Sequence, residues 1–278
     1  MYNLSVKNSA GDVLRLTANE NYAVIGVTGL TPVAANINTS TAGINDGVLF
    51  NSARLDYRNI VITIRFPRDV EKNRIRLYRY FQPKNLCTLY FNNGARNVYI
   101  TGYVETFECD LFTLGQVAQI SIICPDPYFK SVNETIRSWS TVTAAFEFPT
   151  EFNNVILSED NSGTTVSVPN NGDVSAGMDI ELSFTGNVEN PVIRNANTGE
   201  FLRLNRNFVS GNVVKINTRK GNKSVILRAF GRDLNIINAF SGAWLQLQCG
   251  KNTMLLGAES GTNNFTATFK HSDLFSGV

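Results

Sequence analysis

The chain has 278 residues, of which 43% are hydrophobic and 17% charged, with a formal net charge of +2. This length allows two domains, and a composition so rich in apolar residues favours a folded protein over a disordered one. No apolar run is long enough for a transmembrane helix, and no basic segment followed by an apolar one opens the chain. We therefore expect a protein that is made and assembled in a cytoplasm.

The N-terminal half is dominated by alternation of apolar and polar residues, the period of a half-buried strand. Such runs occupy 60–66, 98–104 and 117–123. Between the first two, the spacing of Val70, Leu77, Tyr78 and Phe81 predicts one helix over 69–81 that packs against the sheet through these side chains. The sequence thus predicts a strand-rich sheet with a single helix laid across it.

Both ends of the predicted helix carry boundary signals. Asp69 is a residue type that caps helix N-termini, and Pro83 can end the helix. Further along, Asn93-Gly94 predicts a tight hairpin before the strand at 98–104.

Two prolines follow the strand at 117–123. The segment is Cys124-Pro125-Asp126-Pro127. Because proline has no N–H to donate to a ladder, we expect the sheet to end here.

The pattern then loosens into polar residues with scattered aromatic ones, including Phe146, Phe148 and Phe152, and predicts a connector. From about Val166 short strands return, separated by turn signals such as Asn171-Gly172, which is typical of a β-sandwich or jelly roll. We therefore predict a mainly β protein with an N-terminal domain over 1–130, a connector over 131–164 and a β-sandwich over 165–278.

Basic residues concentrate between positions 54 and 84, a segment that contains nine Lys or Arg residues and three Asp or Glu residues. This segment could meet nucleic acid or an acidic protein, or it could be an ordinary solvated helix face. The candidates for a charged surface are Arg65, Arg68, Lys72, Arg74, Arg76 and Arg79.

No motif for catalysis or cofactor binding is present. The sequence lacks a Gly-x-Gly-x-x-Gly segment, a phosphate-binding loop, a Gly-x-Ser-x-Gly elbow and a calcium loop. Its four cysteines are widely spaced, which favours buried thiols, and His271 is the single histidine and follows core positions at strand spacing. We expect no enzyme activity, metal or cofactor.

Trp244 could stack on a sugar, although packing at the sandwich core is the favoured interpretation.

Several stretches, taken in order, resemble the distal tail proteins of siphovirus-type phages. They lie at 27–32, 46–54, 58–62, 80–84, 99–105 and 119–129, with weaker ones at 171–173, 197–199 and 245–252. The residues that carry the motifs are Gly29, Asp46, Gly47, Arg58, Gly102, Pro125, Asp126 and Pro127. Cys249 stands where the family more often has proline.

The resemblance implies a structural virion protein without enzymatic activity. It implies an N-terminal β-sandwich or barrel related to the tail-tube fold, which forms one or two hexameric rings around a channel. The C-terminal sandwich would be galectin-like or carbohydrate-module-like, and it lacks the His-x-Asn-x-Arg pattern of galectins, which favours protein docking over sugar binding.

The implied partners are the tail tube protein, the tape-measure protein and the receptor-binding or other tail-associated proteins. DNA would pass through the channel without specific binding, no membrane insertion is expected, and the location would be the virion tail tip after assembly in the host cytoplasm. The alternatives left open are a tail tube subunit, a cell-wall carbohydrate-binding module and a sugar-degrading enzyme.

Overall fold

A computed structural model describes residues 2–41, 43, 46–113, 115–140, 142–144, 158–160 and 165–278. The chain divides into an N-terminal unit, Met1–Asn133 with Leu274–Val278, and a C-terminal unit, Glu134–Asp273. Both are built mainly from antiparallel strands, so the predicted mainly β class is confirmed. None of the described helices has the length and hydrophobicity needed to cross a membrane.

The N-terminal unit begins with ten strands and one helix. They are β1 (Asn3–Lys7), β2 (Val13–Arg15), β3 (Ala23–Thr28), β4 (Ala35–Thr41), β5 (Val48–Leu55), β6 (Arg58–Arg65), α1 (Val70–Tyr78), β7 (Leu86–Asn92), β8 (Asn97–Cys109), β9 (Val117–Cys124) and β10 (Phe129–Ser131).

The C-terminal unit follows, and the chain then returns to the N-terminal unit in a last strand. These strands are β11 (Thr135–Trp139), β12 (Val142–Ala144), β13 (Ser158–Asp160), β14 (Thr165–Asn170), β15 (Asp179–Phe184), β16 (Val188–Glu189), β17 (Val192–Asn195), β18 (Phe201–Leu204), β19 (Asn207–Phe208), β20 (Val213–Asn217), β21 (Ser224–Ala229), β22 (Arg232–Asn235), β23 (Phe240–Gly242), β24 (Gly250–Gly257), β25 (Phe265–His271) and β26 (Leu274–Phe275). Short 3₁₀ helices occupy Ile237–Ala239 and Thr262–Asn264.

The N-terminal unit is organised around a nine-stranded sheet. Seven strands follow the order β2-β1-β7-β8-β9-β6-β3, β10 pairs with β8, and β26 pairs with β10. Its core follows from strand alternation. Ile60, Ile62 and Ile64 on β6 are fully buried, and the first two lie opposite Ile122 and Ile120 on β9. The alternation read from the sequence is therefore the buried face of this sheet.

Helix α1 is shorter than predicted, and Asp69 stands at its N-cap position, as predicted, but without acting as a capping side chain. Asp69 adopts a left-handed conformation with φ 43°, and its side chain makes no capping hydrogen bond. Leu77 and Phe81 are fully buried, with Phe81 just beyond the helix end, whereas Tyr78 remains 39% exposed and packs its ring against Phe107 at 4.9 Å. Val70 is partly buried against the same core.

The expectation that the sheet ends at the two prolines is only half right. Strand β9 does stop at Cys124, but after the Pro-Asp-Pro turn the chain re-enters the sheet as β10, which pairs with β8 at Lys130↔Tyr99 and with β26. This continuation is possible because β8 is 13 residues long and pairs with β9 through its second half only.

The C-terminal unit is a β-sandwich, as predicted. A six-stranded sheet in the order β11-β25-β15-β20-β21-β22 packs against a five-stranded sheet in the order β14-β24-β17-β18-β23. Their facing apolar side chains, for example Leu182 and Val214 from the first sheet and Ile193 and Met254 from the second, form one buried core.

Part of the expected connector is a strand of this sandwich. β11 pairs with β25 along its whole length, and Trp139 is buried with its ring 5.2 Å from that of Phe265. Phe146, Phe148 and Phe152 lie outside the described residues. At the other end, Leu274–Val278, expected in the sandwich, groups with the N-terminal unit.

His271 lies on the buried face of β25, as its spacing suggests. It is completely buried, its Nε2 lies 3.3 Å from Asp273 Oδ1, and neither ring nitrogen makes a hydrogen bond of good geometry. Burial lowers the pKa of His271, although the neighbouring Asp273 carboxylate acts in the opposite direction.

We expect His271 to make stability depend on pH. An unfolded histidine titrates near pH ~6.5, and the folded pKa is lower, so the unfolded state binds more protons in mildly acidic solution. The free energy of unfolding, measured by urea denaturation, should therefore fall as the pH drops from about 7.5 towards 5.5. In His271→Gln this decrease should be much smaller. An equal decrease in both proteins would show that His271 does not cause the pH dependence of stability.

The buried side chains of the helix region should dominate its stability. Leu77→Ala and Phe81→Ala should each lower the free energy of unfolding by about 2–5 kcal/mol, because each leaves a cavity in the core. Ile75→Ala is the matched control on the same helix, since Ile75 is 54% exposed, and it should change the value by less than about 0.5 kcal/mol. Near wild-type stability in both core variants would show that the region is not packed as described.

Candidate functional site

The most unusual surface of the N-terminal unit is the β4–β5 hairpin. Among the described residues, these two strands pair only with each other, and every residue in them is exposed. They nevertheless carry large apolar side chains: Ile37, Val48, Leu49, Phe50 and Leu55. Phe50 is 68% exposed.

Such a hairpin lacks the contacts that normally stabilise a sheet. An isolated pair of strands is marginally stable in water, and a contiguous exposed apolar patch usually marks an interaction surface. Neighbouring residues of a strand point to opposite faces, so Phe50 and Leu49 place apolar groups on both faces of the hairpin. Both faces are thus suited to contact with another protein.

The base of the hairpin is fixed by Arg58, which is only 2% exposed. Its guanidinium donates to the carbonyl oxygens of Gly29 at 2.5 Å and of Thr31 at 2.7 Å, both in the segment that leads into β4. Arg58 itself opens β6, directly after β5. One side chain therefore holds the two chain segments that enter and leave the hairpin.

The same guanidinium also binds two more distant segments. It donates to the carbonyl oxygen of Pro127 and to that of Ser276, each at 2.7 Å, and it lies 4.6 Å from the centre of the Phe129 ring. We call Arg58 with its four carbonyl acceptors the Arg58 clamp. Burial lowers the pKa of Arg58, but an arginine stays charged, and the charge is stabilised by carbonyl dipoles and the aromatic ring.

Arg96 reinforces the attachment of the last residues. Its guanidinium donates to the Gly277 carbonyl and lies 4.6 Å from the centre of the Phe275 ring. Val278 N–H also donates to the Leu30 carbonyl at 3.1 Å. The terminal segment is thus held against the chain that leads into the hairpin.

Two of the motif glycines are required by close backbone approach. Gly29 has φ +80°, and a Cβ there would lie 2.0 Å from the Asn59 carbonyl oxygen. A Cβ at Gly102 on β8 would lie 2.7 Å from Cys124 Sγ. A side chain at Gly29 would push its segment away from β6, which carries Arg58, and one at Gly102 would push β8 away from β9, which leads to the Pro-Asp-Pro turn.

The structure brings together three of the motif residues, Gly29, Arg58 and Pro127, in the Arg58 clamp. Asp126 lies in the same turn, where it pairs with Lys130 at 2.9 Å, and Pro125 is exposed beside it. Asp46 and Gly47 are elsewhere, exposed before β5 in the connection of the hairpin.

Five of the six candidates for a charged surface are exposed: Arg65, Arg68, Lys72, Arg76 and Arg79. Arg74 is not, and its inclusion was wrong. Its guanidinium is buried and is paired with the Glu71 carboxylate and the Tyr78 hydroxyl. Arg68 is partly neutralised by Glu20 at 2.7 Å.

Trp244 has little free ring surface for a sugar. It is partly buried, stacks on Phe240 with ring centres 4.2 Å apart, and lies 5.5 Å from the ammonium of Lys223. This arrangement agrees with the packing role that the sequence favoured.

Sequence reasoning missed the apolar hairpin and Arg96. The hairpin gives no clear alternation because both of its faces carry apolar groups. Its interpretation depends on the exposure of these groups, which the sequence does not show. Arg96 donates to the backbone carbonyl of Gly277, and a carbonyl acceptor leaves no signal in the sequence.

The comparisons with known proteins point in one direction. Residues 171–272 match the family model described as "Siphovirus-type tail component, C-terminal domain". No curated protein matches the sequence significantly. The resemblance to siphovirus-type tail proteins that the motifs suggested is therefore confirmed.

Solved structures share the fold over nearly the whole chain. The Dit protein of phage SPP1, described as a paradigm of the hub adsorption apparatus in phages that infect Gram-positive bacteria, aligns with a TM-score of 0.67 and 13% identity, covering 97% of this chain and 98% of that one. A chain of the phage P2 baseplate in its activated conformation with Ca aligns with a TM-score of 0.53 and 12% identity, covering 98% of each chain. The fold of this chain is thus shared with these two phage proteins.

Loss of the Arg58 clamp should destabilise the N-terminal unit. Arg58→Ala leaves four carbonyl groups without their donor. Water can replace the bond at the exposed Thr31, but each group that stays buried and unsatisfied costs on the order of 1–3 kcal/mol. We expect the free energy of unfolding, measured by urea denaturation, to fall by at least about 3 kcal/mol.

Arg58→Lys is the informative comparison, because an ammonium keeps the charge but cannot reach four acceptors with a planar fork. It should recover only part of the loss. Exposed Arg79→Ala is the control and should leave stability unchanged. A full recovery in Arg58→Lys would show that charge alone, and not the four directed bonds, stabilises the site.

Proposed function

We propose that this protein is a structural hub at the distal end of a siphovirus-type phage tail. In this proposal, copies of the N-terminal unit close into a hexameric ring that joins the tail tube to the baseplate or receptor-binding apparatus. The observation that carries the proposal is the exposed apolar β4–β5 hairpin, held at its base by the Arg58 clamp, in a fold shared with phage hub proteins.

A ring of identical subunits requires two different surfaces that fit each other head to tail. In the part of the chain that the structure describes, no strand pairs with the outer edges of β2 and β3. Exposed apolar residues lie on both strands, Val13 at 60% and Ile25 at 53%. Free edges favour uncontrolled association unless they are covered. We infer that the hairpin and these edges are covered by neighbouring subunits.

The five exposed basic residues around α1 would be repeated in every subunit of such a ring. If this surface faces the channel, it meets DNA passing through by electrostatic attraction to phosphates, without reading sequence. If it faces outward or axially, it meets acidic surfaces of the tail tube or tape-measure protein. Either position requires contacts that depend on ionic strength.

The C-terminal sandwich is, in this proposal, the docking platform for receptor-binding or other tail-associated proteins. The protein would reside at the virion tail tip after assembly in the host cytoplasm. Its role is assembly geometry and not catalysis, and the matched proteins are described as a tail component, a hub and a baseplate.

The ring predicts a solution mass. Light scattering of the purified chain should give a mass near six or twelve times 30.7 kDa at high concentration. Leu49→Ser combined with Phe50→Ser should shift the mass towards one subunit without lowering the unfolding temperature, because neither side chain packs in the core.

Ile136→Ser is the matched control, an apolar residue that is 51% exposed on the C-terminal unit. It should leave the mass unchanged. A large mass that survives the double hairpin substitution would remove the hairpin from the interface, and a monomer at all concentrations, alone and with tail tube protein added, would contradict the ring itself.

A further inference from the structure

The C-terminal unit contains a cleft of about 610 Å³ that the assembly proposal does not use. Its lining includes Arg206, Asn207, Val209, Phe230, Arg232 and Leu234. The volume lies within the range of about 300–1,000 Å³ that is typical of small-molecule sites.

Strand alternation gives the cleft its positive charge. In the β21–β22 hairpin, Ala229 lies opposite Arg232 on the cleft side. The acid of this hairpin, Asp233, points to the other face, where both of its carboxylate oxygens accept hydrogen bonds from Arg228 at 2.8 and 3.0 Å. Among the residues that the structure describes, no Asp or Glu lines the cleft.

Three polar side chains in the cleft have no bonding partner. Within the described part of the chain, the guanidiniums of Arg206 and Arg232 and the carboxamide of Asn207 make no hydrogen bond or ion pair, and all three residues are exposed. Two unpaired cations in one concavity attract an anion, and a guanidinium binds carboxylate or phosphate oxygens in pairs.

An aromatic ring stands beside these groups. Phe230 is 94% exposed and lies in the left-handed region with φ 50°, followed by Gly231 with φ 74°. Positive φ at both residues is what the two-residue turn between Ala229 and Arg232 requires, and it places the Phe230 ring at the tip of the hairpin. Val209 and Leu234, 45% and 47% exposed, extend the apolar surface next to the ring.

We propose that this cleft binds an acidic saccharide, either a uronic acid or a sugar or polyol phosphate. The oxyanion binds between Arg206 and Arg232, the flat apolar face of the sugar packs on Phe230, and Asn207 hydrogen-bonds a hydroxyl group. An acidic peptide would also satisfy the two arginines, but a sugar presents a flat apolar face to Phe230 and ring hydroxyl groups to Asn207 in one rigid unit, so the combination favours the saccharide. The proposal does not depend on whether the subunits form a hexameric ring.

Calorimetric titration of the full chain tests the proposal with defined probes. Tetragalacturonic acid supplies carboxylates, a glycerol phosphate oligomer supplies phosphates, and maltotetraose is the neutral control. We expect one or both anionic probes to bind, more weakly as salt is raised, and maltotetraose not to bind. An acidic peptide, acetyl-Asp-Phe-Glu-Leu-amide, forms a fourth arm.

Matched variants assign binding to the cleft. Arg206→Ala and Arg232→Ala should each weaken binding of the anionic probe by about tenfold or more, and Phe230→Ala should weaken it as well. Arg228→Ala, on the opposite face of the same hairpin, should leave it unchanged.

Three outcomes would overturn the proposal: no binding of either anionic saccharide at millimolar concentration, binding that survives both arginine substitutions, or binding of the peptide alone. Light scattering of the same samples separates this result from the fate of the hub proposal, since a ring can form whether or not the cleft binds a ligand.

Discussion

The buried guanidinium of Arg58 is the interaction on which the N-terminal unit depends. Its four carbonyl acceptors belong to the entry of the β4–β5 hairpin, the Pro-Asp-Pro turn and the terminal segment. These segments are far apart in sequence, and only the last two are joined by a short ladder, between β10 and β26. A charge buried without a carboxylate is tolerated only if the dipoles around it are fixed, so the clamp and its surroundings stabilise each other.

This constraint has a consequence for assembly. The hairpin carries exposed apolar groups on both faces, and without a fixed base it would be a mobile, aggregation-prone pair of strands. Gly29 allows its carbonyl to approach Arg58, and Pro127 presents a carbonyl in a turn that cannot continue the ladder. The clamp therefore orders the hairpin before any partner arrives, which reduces the entropy lost on association.

Sequence reasoning predicted what local periodicity determines and failed where distant contacts decide. The alternation at Ile60 to Ile64 and the burial of Leu77 and Phe81 were predictable, as was the sandwich. Asp69 stands at the predicted N-cap position, but it takes a left-handed conformation and its side chain makes no capping hydrogen bond. Arg58 and Pro127 were identified through the family motif, but their contact was not, because backbone carbonyls that accept hydrogen bonds leave no trace in residue identity.

The central claim is that the hairpin is a surface between subunits, and backbone hydrogen exchange tests it most directly. Exchange should be followed for residues 35–41 and 48–55 in the assembled protein and in a dilute, dissociated sample. The account predicts strong slowing of exchange in the hairpin on assembly, with little change at the buried strand β6. Equal exchange of the hairpin in both samples, while the mass changes, would contradict it.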